Sequence, residues 1–301
     1  MPDKSLVTII CLCYNHERFI VESLMSAVNQ DYPYVELIIV DDFSTDNSKK
    51  VIKNWLINYP KILFIENETN LGSTKSFNKA LRHAKGSFII DLACDDILAL
   101  NCVSLQIKAF QKSHYKNLGV VYGNTELITE NGAFDSYYFP VDSSKKTIET
   151  RKKGDIYLSV ISGGNSICSV SSMVKKSVFD DLQGYDENLA YEDLDLWIRA
   201  SRKYDFDYND EILIQKRIVS TSQGTHFFLK NDERSRKINH STYLIIQKAI
   251  ALNRTKEEHK AILKRMHYEM ILAFKTSNFK LLFKYILSEI KQRIRIIIER
   301  G

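Results

Sequence analysis

Proline and glycine are scarce in this chain, at 4 and 11 of 301 residues. That scarcity excludes collagen-like and low-complexity chains and leaves little room for long disordered linkers. No apolar run approaches the ~18 residues of a membrane-spanning helix. A strong charge of one sign is also lacking. The 42 Lys and Arg against 37 Asp and Glu give a formal +5, too mild to indicate nucleic acid, and no such partner is expected. The five cysteines, Cys11, Cys13, Cys94, Cys102 and Cys168, are an odd number. No second pair lies near Cys11 and Cys13 to complete a zinc site, so all five read as reduced, buried small residues. Residues 1–5 (MPDKS) enter an apolar stretch with no cationic segment or cleavage site, and the expected location is cytoplasmic.

What is present is a core. At 44% hydrophobic residues, the chain can bury one large domain with an appendage. The first 120 residues alternate between strands and helices. LVTIICLC (6–13) is a continuous apolar run of the kind covered on both faces, and ELIIV, KILFIE and SFIIDL repeat it at 36–40, 61–66 and 87–92. Between them lie helical patterns over 17–30, from Ser44 or Thr45 to about Tyr59, over 74–84 and over 101–113. This alternation predicts an α/β fold with a Rossmann-like, mostly parallel sheet flanked by helices. A further strand is expected over 118–124, an irregular stretch over 125–160, a helix over 192–204 and a last strand over 211–219. From about 232 the chain reads as a helical C-terminal extension. The expected division is 1–225, with halves 1–120 and 121–225, and 226–301.

Two apolar strands end in paired acids: LIIVDDFSTD, with Asp41 and Asp42, and DLACDDILAL, with Asp95 and Asp96. In a parallel sheet both pairs project from the carboxyl edge, where ligands bind. Asp95 and Asp96 suit a hard divalent cation, but Asp is also a favoured helix N-cap. Asp41 and Asp42 either fix the following turn or accept hydrogen bonds from a nucleobase N–H or ribose hydroxyls. A third acidic stretch, YEDLDLW, places Glu192 and Asp193 in a helix's first turn, as dipole complements or as a general base.

Three stretches, 7–48, 70–96 and 184–199 (GYDENLAYEDLDLWIR), together resemble the family 2 inverting glycosyltransferases of GT-A fold. The resemblance covers roughly residues 5–220 and is weakest across 125–160. It implies that Cys13, Tyr14 and Asp42 contact the donor base. Asp95 stands near the ribose, Asp96 on a Mn²⁺ or Mg²⁺ that bridges the donor diphosphate, and Asp193 as the catalytic base. Glu192 pairs with that base, and Asp186 of the GYDE turn shapes the acceptor side. Many relatives carry a Tyr-Arg-x-His stretch after the last strand; here the sequence is KRIVSTSQGTH. Arg217 matches the arginine that meets diphosphate or metal. The histidine is missing, leaving His226 as a second metal-ligand candidate against a solvated loop residue.

The implied reaction is inverting transfer from a nucleotide sugar, with UDP favoured, to a glycan hydroxyl. The acceptor would be polyprenyl-diphosphate-linked, in bacterial surface polysaccharide synthesis. A catalytically silent nucleotide-sugar-binding module is the alternative. A dinucleotide oxidoreductase would need a G-x-G-x-x-G turn after the first strand, and CYNHER has no glycine. Finally, residues 278–298 form an amphipathic basic helix. It is expected to make peripheral contact with the inner face of the cell membrane, or to dock on the catalytic domain or a second subunit of a homodimer.

Overall fold

A computed structural model describes residues 4–164, 167–219, 227–230 and 232–298. His226 lies outside them. The chain divides into two compact units: Met1–Gly154 with Ile167–Glu187 and Tyr204–Ile218, and Asp155–Ser166 with Asn188–Lys203 and Val219–Gly301.

The first unit holds the whole sheet. Its strands are β1 (Val7–Cys13), β2 (Val35–Asp41), β3 (Leu63–Glu66), β4 (Phe88–Ala93), β5 (Ile97–Leu98), β6 (Leu118–Ile128), β7 (Phe134–Tyr137), β8 (Ser172–Lys175) and β9 (Asp205–Arg217). They lie in the order β3-β2-β1-β4-β8-β6-β9-β5, with β7 also paired to β6. The first four strands are mutually parallel, as their continuous apolar runs predict. Helices α1 (Ile20–Val28), α2 (Ser48–Leu56), α3 (Ser73–Leu81) and α4 (Cys102–Lys112) connect and cover them. The β1 register pairs Cys13 with Asp41 and Leu12 with Ala93, so three strands end level at one edge. Their next residues, Tyr14, Asp42 and the Asp95–Asp96 pair, therefore emerge together.

Three expectations change. Residues 125–160 hold the end of β6, all of β7 and the start of α5 (Tyr157–Ser162). The last strand starts at Asp205, six residues before the predicted Glu211. Its opening, DFDYND, buries Phe206 and Tyr208 and turns the acids aside, a period-2 pattern masked by charge. The acid pair leads not to a helix cap but to β5, paired antiparallel with β9. The α4 N-cap is Asn101.

The second unit is helical: α5, α7 (Asp193–Ser201), α8 (Glu233–Leu252), α9 (Lys256–Lys275) and α10 (Phe279–Ile298), α6 (Lys176–Leu182) belonging to the first unit. Asp232 caps α8 by accepting from the Ser235 N–H at 2.7 Å. Thr255 and Glu258 form a reciprocal capping box on α9. Tyr157 anchors α5 by donating to Asn253 Oδ1 at 2.8 Å. The Arg202 guanidinium lies 3.4 Å from the Tyr157 ring centroid and bonds Glu258. No helix among the described residues is long and apolar enough to cross a membrane. All five cysteines are free and buried, and burial pushes the Cys102 thiol up to about 12.

Candidate functional site

The crevice floor is a latch between CYNHER and DDFSTDNS. The N–H groups of Asn15 and His16 donate to the hydroxyls of Ser44 (3.0 Å) and Ser48 (2.8 Å). In return, Asn15 Oδ1 accepts from the Thr45 N–H, and Glu17 from the Asn47 N–H, both at 2.8 Å. The turns need left-handed backbone at Asn15 (φ 60°) and Phe43 (φ 63°). Tyr14, 45% exposed, stands beside this latch at the end of β1, while Cys13 is buried.

In the first acid pair, Asp42 is largely consumed by the fold and Asp41 only in part. Asp41 Oδ2 accepts from the Ser44 N–H at 3.1 Å; its buried Oδ1 has no partner among the described residues. Asp42 accepts from Asn67 Nδ2 (2.9 Å) and from the N–H groups of Leu71 and Gly72 (both 2.8 Å). It thereby holds the Asn67–Gly72 loop ahead of α3. Gly72 needs φ +84° there, which only glycine adopts freely.

The second acid pair keeps more of its capacity. Asp96 Oδ1 accepts from the Arg217 N–H at 2.8 Å. Among the described residues no donor reaches its Oδ2. Burial, then the neighbouring Asp95 charge, pushes the Asp96 carboxyl up to about 8. Asp95, half-buried, has His16 Nε2 at 3.8 Å. His16 was not singled out by sequence reasoning, because nothing in CYNHER marks which side chain turns toward the distant loop between β4 and β5. Its Nδ1 is buried without a partner among the described residues.

Arg217 is the hub of this loop. Its Nε donates to the Asp95 carbonyl (3.1 Å), Nη1 to the Glu130 carbonyl (3.0 Å) and Nη2 to Glu22 (2.7 Å). Its guanidinium also lies 4.7 Å from the Phe19 ring centroid. The residue is 4% exposed, so Arg217 is a buried tie that positions the acid pair. Its guanidinium is thus tied to protein acceptors at Asp95, Glu130 and Glu22.

The GYDE turn is pinned from α3 and β4. Asn78 Oδ1 accepts from the Tyr185 N–H at 2.9 Å, and its Nδ2 donates to the Tyr185 carbonyl and Glu187. A Cβ on Gly184 would meet Asn78 Oδ1 at 2.4 Å, and φ is +73°. The Tyr185 hydroxyl donates to Asp91 at 3.0 Å; burial nonetheless pushes that carboxyl up to about 7. Asp186 is half-buried in this turn.

In the second unit, Glu192 is the N-cap residue of α7 and Asp193 opens the helix, both half-buried. The third acid of YEDLDLW, Asp195, is fully buried between Arg199 and Lys248, each at 2.7 Å. It is an anchor that sequence reasoning missed. Its i,i+4 spacing to Arg199 was the available signal.

Two adjacent carboxylates whose burial and mutual repulsion disfavour a double negative charge fit a hard divalent cation. No cluster of three His, Cys, Asp or Glu occurs among the described residues. Water and ligand oxygens would complete the shell.

A model of glycosyl transferase family 2 matches residues 8–180. The chain belongs to this family. Solved structures bear on the fold. Staphylococcus aureus TarS 1–349 in complex with UDP-GlcNAc superposes with a TM-score of 0.69 at 17% identity, covering 95% of this chain and 81% of that one. The mannosyltransferase PcManGT from Pyrobaculum calidifontis, in complex with GDP-Man and Mn²⁺, gives 0.61 at 17% identity, over 96% and 76%. The fold is therefore GT-A. Among relatives, the glycosyltransferase MJ1057 of Methanocaldococcus jannaschii is 31% identical over 72% of each chain. The Escherichia coli UDP-Glc:alpha-D-GlcNAc-diphosphoundecaprenol beta-1,3-glucosyltransferase WfgD is 35% identical over 46% of this chain and 53% of its own. The chain spans only 32% and 36% of two Rickettsia glycosyltransferases it matches.

Proposed function

We propose that this family 2 glycosyltransferase transfers a sugar, with inversion, from a nucleotide-diphosphate sugar to a glycan hydroxyl. The observation that carries this reading is the shared sheet edge of Tyr14, Asp42 and the under-coordinated Asp95–Asp96 pair. Tyr14 offers an exposed ring to the base. Asp42 acts mainly by fixing the Asn67–Gly72 loop, and its remaining acceptor capacity suits the N3–H of uracil. UDP is the favoured carrier on that ground, and WfgD is a relative whose name carries UDP-Glc.

Asp96, with Asp95 beside it toward the ribose, would hold Mn²⁺ or Mg²⁺. Such an ion, when bound, supplies charge neutralisation for a departing diphosphate. Asp193 removes the proton from the acceptor hydroxyl as that oxygen bonds to the anomeric carbon. The bond from that carbon to the diphosphate oxygen breaks, and its electron pair leaves with the nucleotide. One displacement on the opposite face inverts the centre. WfgD, by its name, acts on a diphosphoundecaprenol-linked acceptor, which supports a lipid-linked glycan acceptor and a role in polysaccharide synthesis here.

Asp193→Asn should reduce transfer by about a thousandfold while Mn²⁺-dependent thermal stabilisation by UDP-sugars persists. Loss of that stabilisation in the variant would refute the base assignment. Wild-type protein unmoved by every UDP-, dTDP- and GDP-sugar in such a panel would refute donor binding.

A further inference from the structure

Helix α10 is docked inside out. Its buried side is Leu281, Tyr285, Ser288 and Gln292. The last two are held by Gln247 Nε2 (3.1 Å) and His259 Nδ1 (2.9 Å). The opposite side presents Phe279, Phe283, Ile286, Ile290, Ile294 and Ile297, all exposed, with Phe283 at 61% and Ile294 at 51%. Helix α9 extends this surface with Ile271 and Phe274, and the Phe274 ring meets Phe279 edge-on at 6.2 Å. An amphipathic helix on a globular core turns its apolar stripe inward. Here the stripe faces away along the length of the helix, a contiguous patch of the kind that marks an interaction site.

The charge beside the stripe selects the occupant. At 100° per residue, Lys280, Lys284, Lys291 and Arg295 fall along one flank and Arg293 along the other. The one acid in Phe279–Ile298 is Glu289, which is already tied to His267 and Arg293. We propose that the exposed α9–α10 face seats on an anionic lipid bilayer surface. Its Phe and Ile side chains enter the acyl boundary, and its flanking cations lie among the headgroups. A second copy is disfavoured because a two-fold contact sets the same face against itself. Five cations would then oppose five cations, with one already engaged acid on each side. This inference rests on the helical unit alone and does not depend on the catalytic reading.

Co-sedimentation of the full chain tests it, using vesicles of phosphatidylcholine with phosphatidylglycerol and vesicles of phosphatidylcholine alone. Binding is expected on the anionic vesicles and about tenfold weaker on the zwitterionic ones. The variant Phe283→Ser, Ile290→Ser, Ile294→Ser should keep the wild-type Tm, since these side chains are exposed, and bind about tenfold more weakly or worse. The variant Lys280→Gln, Lys284→Gln, Lys291→Gln should lose the preference for phosphatidylglycerol. The proposal is overturned if wild-type protein ignores both vesicles, or if the serine variant binds as well as wild type. It is equally overturned if sedimentation velocity shows a dimer that the serine variant dissociates. Mn²⁺-dependent hydrolysis of UDP-sugars without vesicles reads the catalytic reading separately.

Discussion

The two Asp-Asp pairs begin alike and end differently. Each follows an apolar parallel strand, and both leave the sheet at the same edge. Asp41 and Asp42 receive one and three N–H donors, and so become the ties of two loops. Among the described residues, Asp96 receives one donor, and Asp95 has only a histidine at 3.8 Å. The physical distinction is satisfaction, and it is sharpest between Asp42 and Asp96, since Asp41 keeps a buried Oδ1 without a partner among the described residues. A carboxylate tied at both oxygens, as Asp42 is, is part of the frame, whereas a buried, poorly satisfied one is costly until a ligand arrives. Strand and dipeptide are the same in both, so the surrounding donors decide the role.

Substitutions can break this comparison. The largest effect is expected at Asp96→Asn, which keeps the shape and the acceptor for the Arg217 N–H. Transfer and Mn²⁺-dependent donor binding should fall by about a hundredfold or more. The Tm should hold, because the amide keeps the bond from the Arg217 N–H and carries no charge in the buried position. Calorimetry and donor turnover on one preparation would show it, and a lowered Tm with intact turnover would invert the assignment. Asp42→Asn should do the opposite. An amide offers one acceptor oxygen where the carboxylate uses two, so either Gly72 or the Leu71–Asn67 pair loses its partner. A stability loss of about 1–3 kcal/mol is expected in urea unfolding, with donor affinity falling only secondarily.

The smallest effect sharpens the contrast with a third acid on the same strand. Asp91 has one donor, the Tyr185 hydroxyl, and burial raises its carboxyl to about 7. Its folded value lies above its unfolded one. Its contribution is therefore fully present below about pH 4 and is lost as pH rises toward 7. Asp91→Asn should remove that loss and raise the Tm at pH 7.5, with little change at pH 4. An equal shift at both pH values would exclude titration as the cause.

Much of the first unit was legible because buried parallel strands carry continuous apolar runs, and the acids after them could only emerge at one edge. The extent of β9 was hidden because its outward residues are acids, so DFDYND reads as loop until Phe206 and Tyr208 are seen packed. Arg217 was found by resemblance, but its protein partners were not legible. Only the fold brings Glu22, Asp95 and Glu130 to it, from positions 195, 122 and 87 residues away. The stripe on α10 was visible as periodicity. Its outward direction was not, because a helical wheel does not say which side docks, and here Ser288 and Gln292 hold the helix to its neighbours.

The latch between CYNHER and DDFSTDNS bears on time as well as on shape. Its loops are cross-tied by the chain's own groups, so the ordering entropy of the crevice floor is settled when the chain folds, not at each encounter. Donor capture at this floor should then follow a single exponential in stopped flow, with a rate linear in donor concentration and no slow closing phase.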